Sequence, residues 1–144
     1  MIGFVIVTHG ELGRELLETS ALIMPKDRTN LRHVAIGADE ETAVATEKIG
    51  QSIKNVDFGE GVILLTDMFG GTPSNIGITF LEEGKVEVVS GVNLPMLLKT
   101  SMLESHNTLR EAAEDIRRFG SESITVASDL LAPRSKNSSD GKSE

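Results

Sequence analysis

Short apolar runs alternate along this chain with longer stretches that carry apolar residues at helical spacing. The runs, which are rich in valine, isoleucine and leucine and are typical of strands covered on both faces, are residues 2–7, 31–36, 61–65 and 86–89. Between them, helices are predicted at residues 11–23, through Ala45, Ile49 and Ile53, and at 73–82 and 94–103. This order predicts an α/β fold with an open, mainly parallel, doubly wound sheet in the common strand order 2-1-3-4.

The C-terminal part predicts one more helix, one more strand and a tail. Thr108 and Glu111 form a capping box that starts a helix, and Gly120 is expected to end it. Residues 123–127 predict a short strand, placed either at an edge of the sheet or exchanged with another subunit. The folded domain is expected to span residues 1–131, and residues 132–144 are expected to form a disordered polar tail.

Composition narrows the classes of function. The chain has 144 residues, of which 22 are acidic and 14 are Lys or Arg, and its net charge of −8 opposes nucleic-acid binding. The absence of cysteine excludes thiolate metal sites, disulfide redox chemistry and a cysteine nucleophile. No apolar run approaches the 18 or so residues of a membrane span, so a cytoplasmic protein without membrane insertion is expected.

Polar loops follow the first, third and fourth predicted strands, where doubly wound sheets bind ligands. In the order 2-1-3-4, His9 after strand one and Asp67 after strand three lie across one crevice. An imidazole whose Nδ1–H donates to a carboxylate has a free Nε2 lone pair and can act as a nucleophile. The alternative is that His9 is a hydrogen-bonded turn residue and Asp67 a capping residue.

The loop after the third strand predicts an anion site. Gly70 and Gly71 allow the backbone to approach a ligand, and Thr72 suits a helix N-cap before a proline. The N–H groups of Ser74 and Asn75, the Thr72 hydroxyl and the helix dipole would bind a phosphoryl group. A plain turn with an ordinary cap explains the same residues.

Other chemistry has weaker signals. His33 and His106 lack acidic partners at metal-ligand spacing, so neither a metal site nor a cofactor is expected. No glycine-rich fingerprint for dinucleotides or nucleoside triphosphates is present in the sequence.

Three motifs carry a resemblance to a known family. Thr-His-Gly at 8–10, Thr-Asp-Met-Phe-Gly-Gly-Thr-Pro at 66–73 and Gly-Val-Asn-Leu-Pro-Met-Leu at 91–97 occur in this order. Together they resemble the mannose-type enzyme IIA domain of the bacterial phosphoenolpyruvate-dependent sugar phosphotransferase system (PTS), over residues 1 to about 130. The resemblance implies that His9 accepts a phosphoryl group from the phosphocarrier HPr and passes it to a IIB protein. It also implies that Asp67 orients the histidine and that Thr72 contacts the phosphoryl group.

The resemblance also implies a homodimer in which the strand at 123–127 pairs with the partner's sheet. Many relatives continue into a fused IIB domain, so a separate IIB protein is expected here, or a role in regulation instead of transport. Met68 and Phe69 are expected either to dock HPr and IIB or to pack under their loop.

Two alternatives remain at this point. The first is a regulatory module that senses an anion and never forms phosphohistidine. The second is a histidine phosphatase, which requires an arginine directly before the histidine. Thr8 occupies that position, and Arg14 is the arginine nearest in sequence.

Overall fold

The computed structural model describes residues 1–25 and 28–131, in which four parallel strands form one sheet in the order β2-β1-β3-β4. The strands are β1 (Gly3–His9), β2 (Leu31–Ile36), β3 (Val62–Thr66) and β4 (Val86–Ser90). The helices are α1 (Leu12–Ile23), α2 (Thr42–Val56), α3 (Thr72–Ile78), α4 (Leu94–Thr100), α5 (Leu109–Glu122) and α6 (Ala127–Leu131). The predicted parallel sheet and its strand order are confirmed, and the predicted tail at 132–144 lies outside the described residues.

Helices cover both faces of the sheet because successive side chains of a strand point to opposite sides. Phe4 and Ile6 of β1 lie in one apolar cluster, together with side chains of α1, α4 and α5. Val5 and Val7 lie in the other cluster, together with side chains of α2 and α3. All four of these β1 side chains are buried, which explains why the strand reads as a continuous apolar run.

The crevice at the carboxyl ends of β1 and β3 is the point where the crossovers diverge. The two strands are neighbours, with Val7 paired to Thr66. Helix α1 leaves β1 toward one face, whereas α3 leaves β3 toward the other. Such a switch point is where sheets of this type bind ligands.

Helix α5 continues two residues beyond the predicted end at Gly120. Gly120 is buried inside the helix, and a Cβ atom there would overlap the side chain of Met96 in α4. The glycine is therefore explained by close helix packing instead of helix termination.

The strand predicted at residues 123–127 does not form within the chain. Ser123 caps α5, residues 124–126 have no regular structure, and α6 begins at Ala127. A strand needs a partner with free backbone groups, and none of the described strands pairs with this segment. No helix in residues 1–25 and 28–131 has both the length and the apolarity needed to cross a membrane.

Candidate functional site

His9 and Asp67 form a directly bonded pair at the switch point. Oδ2 of Asp67 accepts a hydrogen bond from the backbone N–H of His9 at 2.9 Å and lies 2.7 Å from its Nδ1. The other carboxylate oxygen, Oδ1, accepts from the N–H of Met68 at 3.0 Å. The carboxylate thus fixes both the backbone and the ring of His9.

The environment keeps Asp67 ionised and sets the tautomer of His9. Burial opposes the charge, since the Asp67 side chain is only 12% exposed, but the hydrogen bonds from the backbone and ring of His9 outweigh burial and lower the pKa of Asp67. An ionised carboxylate only accepts hydrogen bonds, so in the neutral imidazole Nδ1 carries the proton and Nε2 has the lone pair. No hydrogen bond in residues 1–25 and 28–131 uses Nε2, and the His9 side chain is 52% exposed.

The two glycines of the third-strand loop have different roles. Gly70 has a φ of +94°, which L side chains rarely adopt, and nothing lies near its missing Cβ. Gly71 has an ordinary extended backbone, but a Cβ there would lie 2.8 Å from Cε1 and 3.3 Å from Nε2 of His9. Gly70 therefore allows the turn, and Gly71 makes room for the edge of the ring that carries Cε1 and Nε2.

The start of α3 differs from the prediction by one residue. Gly71, not Thr72, is the N-cap, and the helix has no side-chain cap. The N–H of Asn75 bonds to the carbonyl of Gly71 at 2.8 Å and is not free to bind an anion. Within the part of the chain that the structure describes, the N–H groups of Gly71, Thr72 and Ser74 at this turn make no hydrogen bond. The Thr72 side chain is exposed, whereas that of Ser74 is buried and lies 3.3 Å, Oγ to Oγ, from Ser90.

Hydroxyl side chains at strand ends hold the site loops, a role that sequence reasoning missed. Buried Thr8 accepts a hydrogen bond from the N–H of Gly13 at 2.8 Å, which joins the end of β1 to α1. Buried Thr66 donates to Ser90 at 2.8 Å and links β3 to β4. The available signal was positional, because Thr8, Thr66 and Ser90 each occur where a strand gives way to a polar loop.

The other two histidines lie outside the site. His33 is in β2, half-buried, with no hydrogen-bond partner for its Nδ1. His106 is exposed in the loop before α5. Across residues 1–25 and 28–131, no group of three or more histidine or acidic side chains could hold a metal ion.

Met68 and Phe69 project from the loop beside the His9–Asp67 pair. Phe69 is 77% exposed, and Met68 is more than half exposed. The prediction that they pack under their loop is therefore wrong.

The chain thus has a parallel α/β sheet with a histidine bonded to an aspartate at its switch point. Residues 3–117 match the family described as "PTS system fructose IIA component". The chain belongs to this family of phosphotransferase-system IIA components, and the resemblance inferred from its motifs is confirmed.

Curated relatives support the assignment. The chain is 32% identical over 132 residues to the "PTS system fructose-specific EIIA component" of Bacillus subtilis, covering 91% of this chain and 90% of that protein. It is 31% identical over 102 residues to the "PTS system mannose-specific EIIAB component" of Escherichia coli K12, covering 70% of this chain but 31% of that protein.

Solved structures share the fold. A PTS IIA protein associated with a fucose utilization operon in Streptococcus pneumoniae superimposes with a TM-score of 0.79 at 22% identity, covering 91% of this chain and 96% of the other. An EIIA component from Streptococcus agalactiae gives a TM-score of 0.75 at 25% identity, covering 90% of this chain and 99% of the other.

Proposed function

We propose that the protein is a cytoplasmic phosphoryl carrier in which His9 accepts a phosphoryl group from phospho-HPr and passes it to a separate IIB protein. The observation that carries this proposal is the contact between Asp67 Oδ2 and His9 Nδ1 at 2.7 Å, which leaves Nε2 as the nucleophilic nitrogen. Family membership supports the reaction class.

In the proposed step, Nε2 attacks phosphorus in line. The bond between phosphorus and the donor breaks as the bond from Nε2 forms, and the donor keeps the electron pair of the broken bond. The proton on Nδ1 stays in place, and the ring gains positive charge that the Asp67 carboxylate stabilises. Transfer to IIB is the same exchange in reverse, so no proton has to enter or leave the pair.

The third-strand loop is proposed to receive the phosphoryl oxygens. Gly71 adjoins Nε2, so the exposed Thr72 hydroxyl and the free N–H groups of Thr72 and Ser74 belong to the turn that faces this edge of the ring. Gly70 supplies the conformation that the turn needs. Asn75 contributes no free backbone N–H, since its own is used within α3.

Phe69 and Met68 are proposed to form the docking surface for HPr and IIB. Exposed apolar side chains beside a reactive group are typical of partner contacts, and both residues adjoin Asp67 in the chain. Phe69→Ala should weaken HPr binding roughly tenfold. Phe58→Ala is the matched control, because Phe58 is also exposed but precedes β3 at the other end of the sheet. An NMR titration with HPr that leaves the signals around Phe69 unshifted would contradict this docking surface.

Incubation with phosphoenolpyruvate, enzyme I and HPr tests the carrier. The protein should gain the mass of one phosphoryl group, in a linkage that is labile in acid and stable in base. His9→Ala should abolish the gain, whereas His106→Ala, which removes an exposed histidine outside the site, should leave it unchanged. Undiminished labelling of His9→Ala would refute the assignment.

The same experiment separates the alternatives. A regulatory module that only senses an anion would show no covalent gain. The phosphatase alternative is opposed by the placement of Arg14, whose guanidinium Nε lies 3.2 Å from Glu18 and pairs within α1. Release of inorganic phosphate from phosphomonoesters would be the result in its favour.

A homodimer is proposed from the C-terminal segment. Ile124 is 77% exposed, Val126 is also exposed, and residues 124–126 have no regular structure. Strands β2 and β4 are the edges of the described sheet, and apart from the bridge between Glu82 and Val86 no strand in the described chain pairs with their outer sides. Pairing of residues 123–127 with the sheet of a second copy would bury the exposed apolar side chains and supply an edge strand with a hydrogen-bonding partner.

Sedimentation equilibrium tests the dimer. The wild-type protein should sediment as a dimer, and Val126→Pro, which removes a backbone N–H from the segment, should raise the dissociation constant at least tenfold. Leu22→Ser is the control, because Leu22 is also an exposed apolar residue but lies on α1, and this variant should remain a dimer. A monomeric wild-type protein would refute the exchange.

A further inference from the structure

A cavity of about 330 Å³ lies at the end of the sheet opposite His9. Its walls come from the last turns of α1 and α4 and from the start of β2. Leu31 in the cavity wall pairs with Phe4 of β1, whereas His9 pairs with Ile36, five residues further along β2. The cavity and the His9 site are therefore roughly 16 Å apart along the strands.

The lining combines an apolar floor with two guanidinium groups. Leu17, Leu31 and Leu97 supply apolar surface, and Arg28 and Arg32 supply the charges. The lining thus mixes polar and apolar surface, and the cavity volume of about 330 Å³ lies within the range of small-molecule sites.

Neither arginine has a carboxylate partner within residues 1–25 and 28–131. Arg28 donates to Oδ1 of Asn30 at 3.2 Å and to Oγ1 of Thr100 at 3.1 Å, and Arg32 donates to the carbonyl of Leu31 at 3.2 Å. The other arginines in the described part of the chain, which all pair with a carboxylate, are Arg14, Arg110, Arg117 and Arg118. The two cavity arginines are thus an exception in an acidic protein.

Arg28 is also partly withdrawn from water. Its side chain is half-buried, and burial lowers its pKa from the ordinary value. A half-buried cation with only neutral partners is costly, and an anion brought beside it would recover that cost.

The carbonyl groups at the C-terminal ends of α1 and α4 do not bind the guanidinium group of Arg28. Hydrogen bonds from local donors already occupy the carbonyls of Ser20, Leu98 and Lys99 in the last turns of α1 and α4. Arg28 contacts the Thr100 hydroxyl and makes no hydrogen bond to these carbonyls. The guanidinium groups therefore remain available to a ligand.

We propose that this cavity binds a small organic anion, with its carboxylate or phosphate group on Arg28 and Arg32 and a short apolar body against Leu17, Leu31 and Leu97. Guanidinium groups suit such anions because their N–H groups pair with two oxygens at once. The site lies outside the phosphoryl-transfer machinery and does not depend on it.

Calorimetric titration with hexanoate, butyl phosphate and hexanol tests the site. Hexanoate or butyl phosphate should bind saturably in about the millimolar range, and hexanol should bind at least tenfold more weakly. The stronger of the two anions identifies the preferred headgroup, and binding of either supports the proposal. No saturable binding of either anion, or equal binding of hexanol, would overturn it.

Three variants locate the binding. Arg28→Met should weaken anion binding at least tenfold, and Ala21→Phe should do the same by filling the cavity while keeping both charges. Arg110→Met is the control, because Arg110 is exposed and lies on α5 away from the cavity. A cooperative urea unfolding transition like that of the wild type shows that each variant is folded. Unchanged binding in both Arg28→Met and Ala21→Phe would refute the location.

Discussion

The two ends of the parallel sheet treat partly buried charge in opposite ways. At the carboxyl end, the nearly buried carboxylate of Asp67 is bonded to the backbone and ring of His9 and to the N–H of Met68. At the amino end, the half-buried guanidinium of Arg28 has only the neutral partners Asn30 and Thr100 in the described structure. Both charges lie at loops next to strands, so position in the fold alone does not account for the difference.

This difference indicates that the carboxyl end is already arranged to hold His9, whereas the amino end can still bind a ligand. The carboxylate at the first end has its partners before any phosphoryl group arrives, so it needs no rearrangement during transfer. The cation at the second end has no carboxylate partner among the residues that the structure describes, so an anionic ligand could pair with it there. Changes at the first end should therefore alter phosphoryl transfer, and changes at the second should alter ligand binding or stability only.

The largest expected effect is that of Asp67→Asn. Loss of the negative charge removes the group that fixes the Nδ1 proton and stabilises the positive ring, so phosphorylation of His9 should slow by roughly 100-fold. Rapid-quench labelling with phospho-HPr measures the rate. Arg28→Met at the opposite end is the control and should label at the wild-type rate. An equal slowing in both variants would show that the two ends are not independent.

Gly71→Ala should have the second-largest effect. The new Cβ would lie 2.8 Å from Cε1 of His9 and must push the ring away from Asp67, so labelling should slow by about 30-fold. Backbone strain is not involved, since Gly71 has an extended conformation.

Gly70→Ala is the matched control for Gly71→Ala. At Gly70 a Cβ meets nothing, but the φ of +94° should cost about 1 kcal/mol of stability or more. Gly71→Ala should therefore mainly lower the labelling rate, and Gly70→Ala should mainly lower the stability. Normal labelling by Gly71→Ala would contradict the contact with the ring.

Much of the fold could be predicted from the sequence because buried parallel strands have a recognisable pattern. The run at residues 2–7 is apolar because helices cover both sides of β1. The pairing of His9 with Asp67 followed from the order of the strands, without any local signal that joins two residues 58 positions apart. The prediction that His9 and Asp67 lie close together therefore depended on the fold topology.

The errors arose where a contact distant in the chain decides the local structure. Gly120 resembles a helix terminator, but its partner is Met96 on another helix. Residues 123–127 have the composition of a strand but no strand partner in the described chain. None of these contacts leaves a periodic signal in the sequence.

Thr8→Val should affect stability more than transfer. The substitution keeps the shape of the side chain but leaves the N–H of Gly13 without its acceptor at the start of α1, which should cost about 1 kcal/mol. Urea denaturation measures the loss. Thr100→Val makes the same change at the opposite end of the sheet, where Arg28 can bond to water instead, so its loss should be smaller. A larger loss for Thr100→Val would contradict the view that the carboxyl end is the more completely bonded one.

The smallest expected effect is a pH dependence that distinguishes the two ends. Because the pKa of folded Asp67 is lowered from its unfolded value of about 3.9, its ionised form stabilises the protein above that pH, and this contribution is lost as the pH falls through the folded pKa. The difference in unfolding free energy between wild type and Asp67→Asn should change as the pH falls below about 4, by less than about 1 kcal/mol. The difference for Arg28→Met should stay constant over the same range, since a guanidinium remains charged throughout. Urea titrations at each pH measure both differences, and a constant difference for Asp67→Asn would show that the carboxylate gains no stability from its bonds to His9.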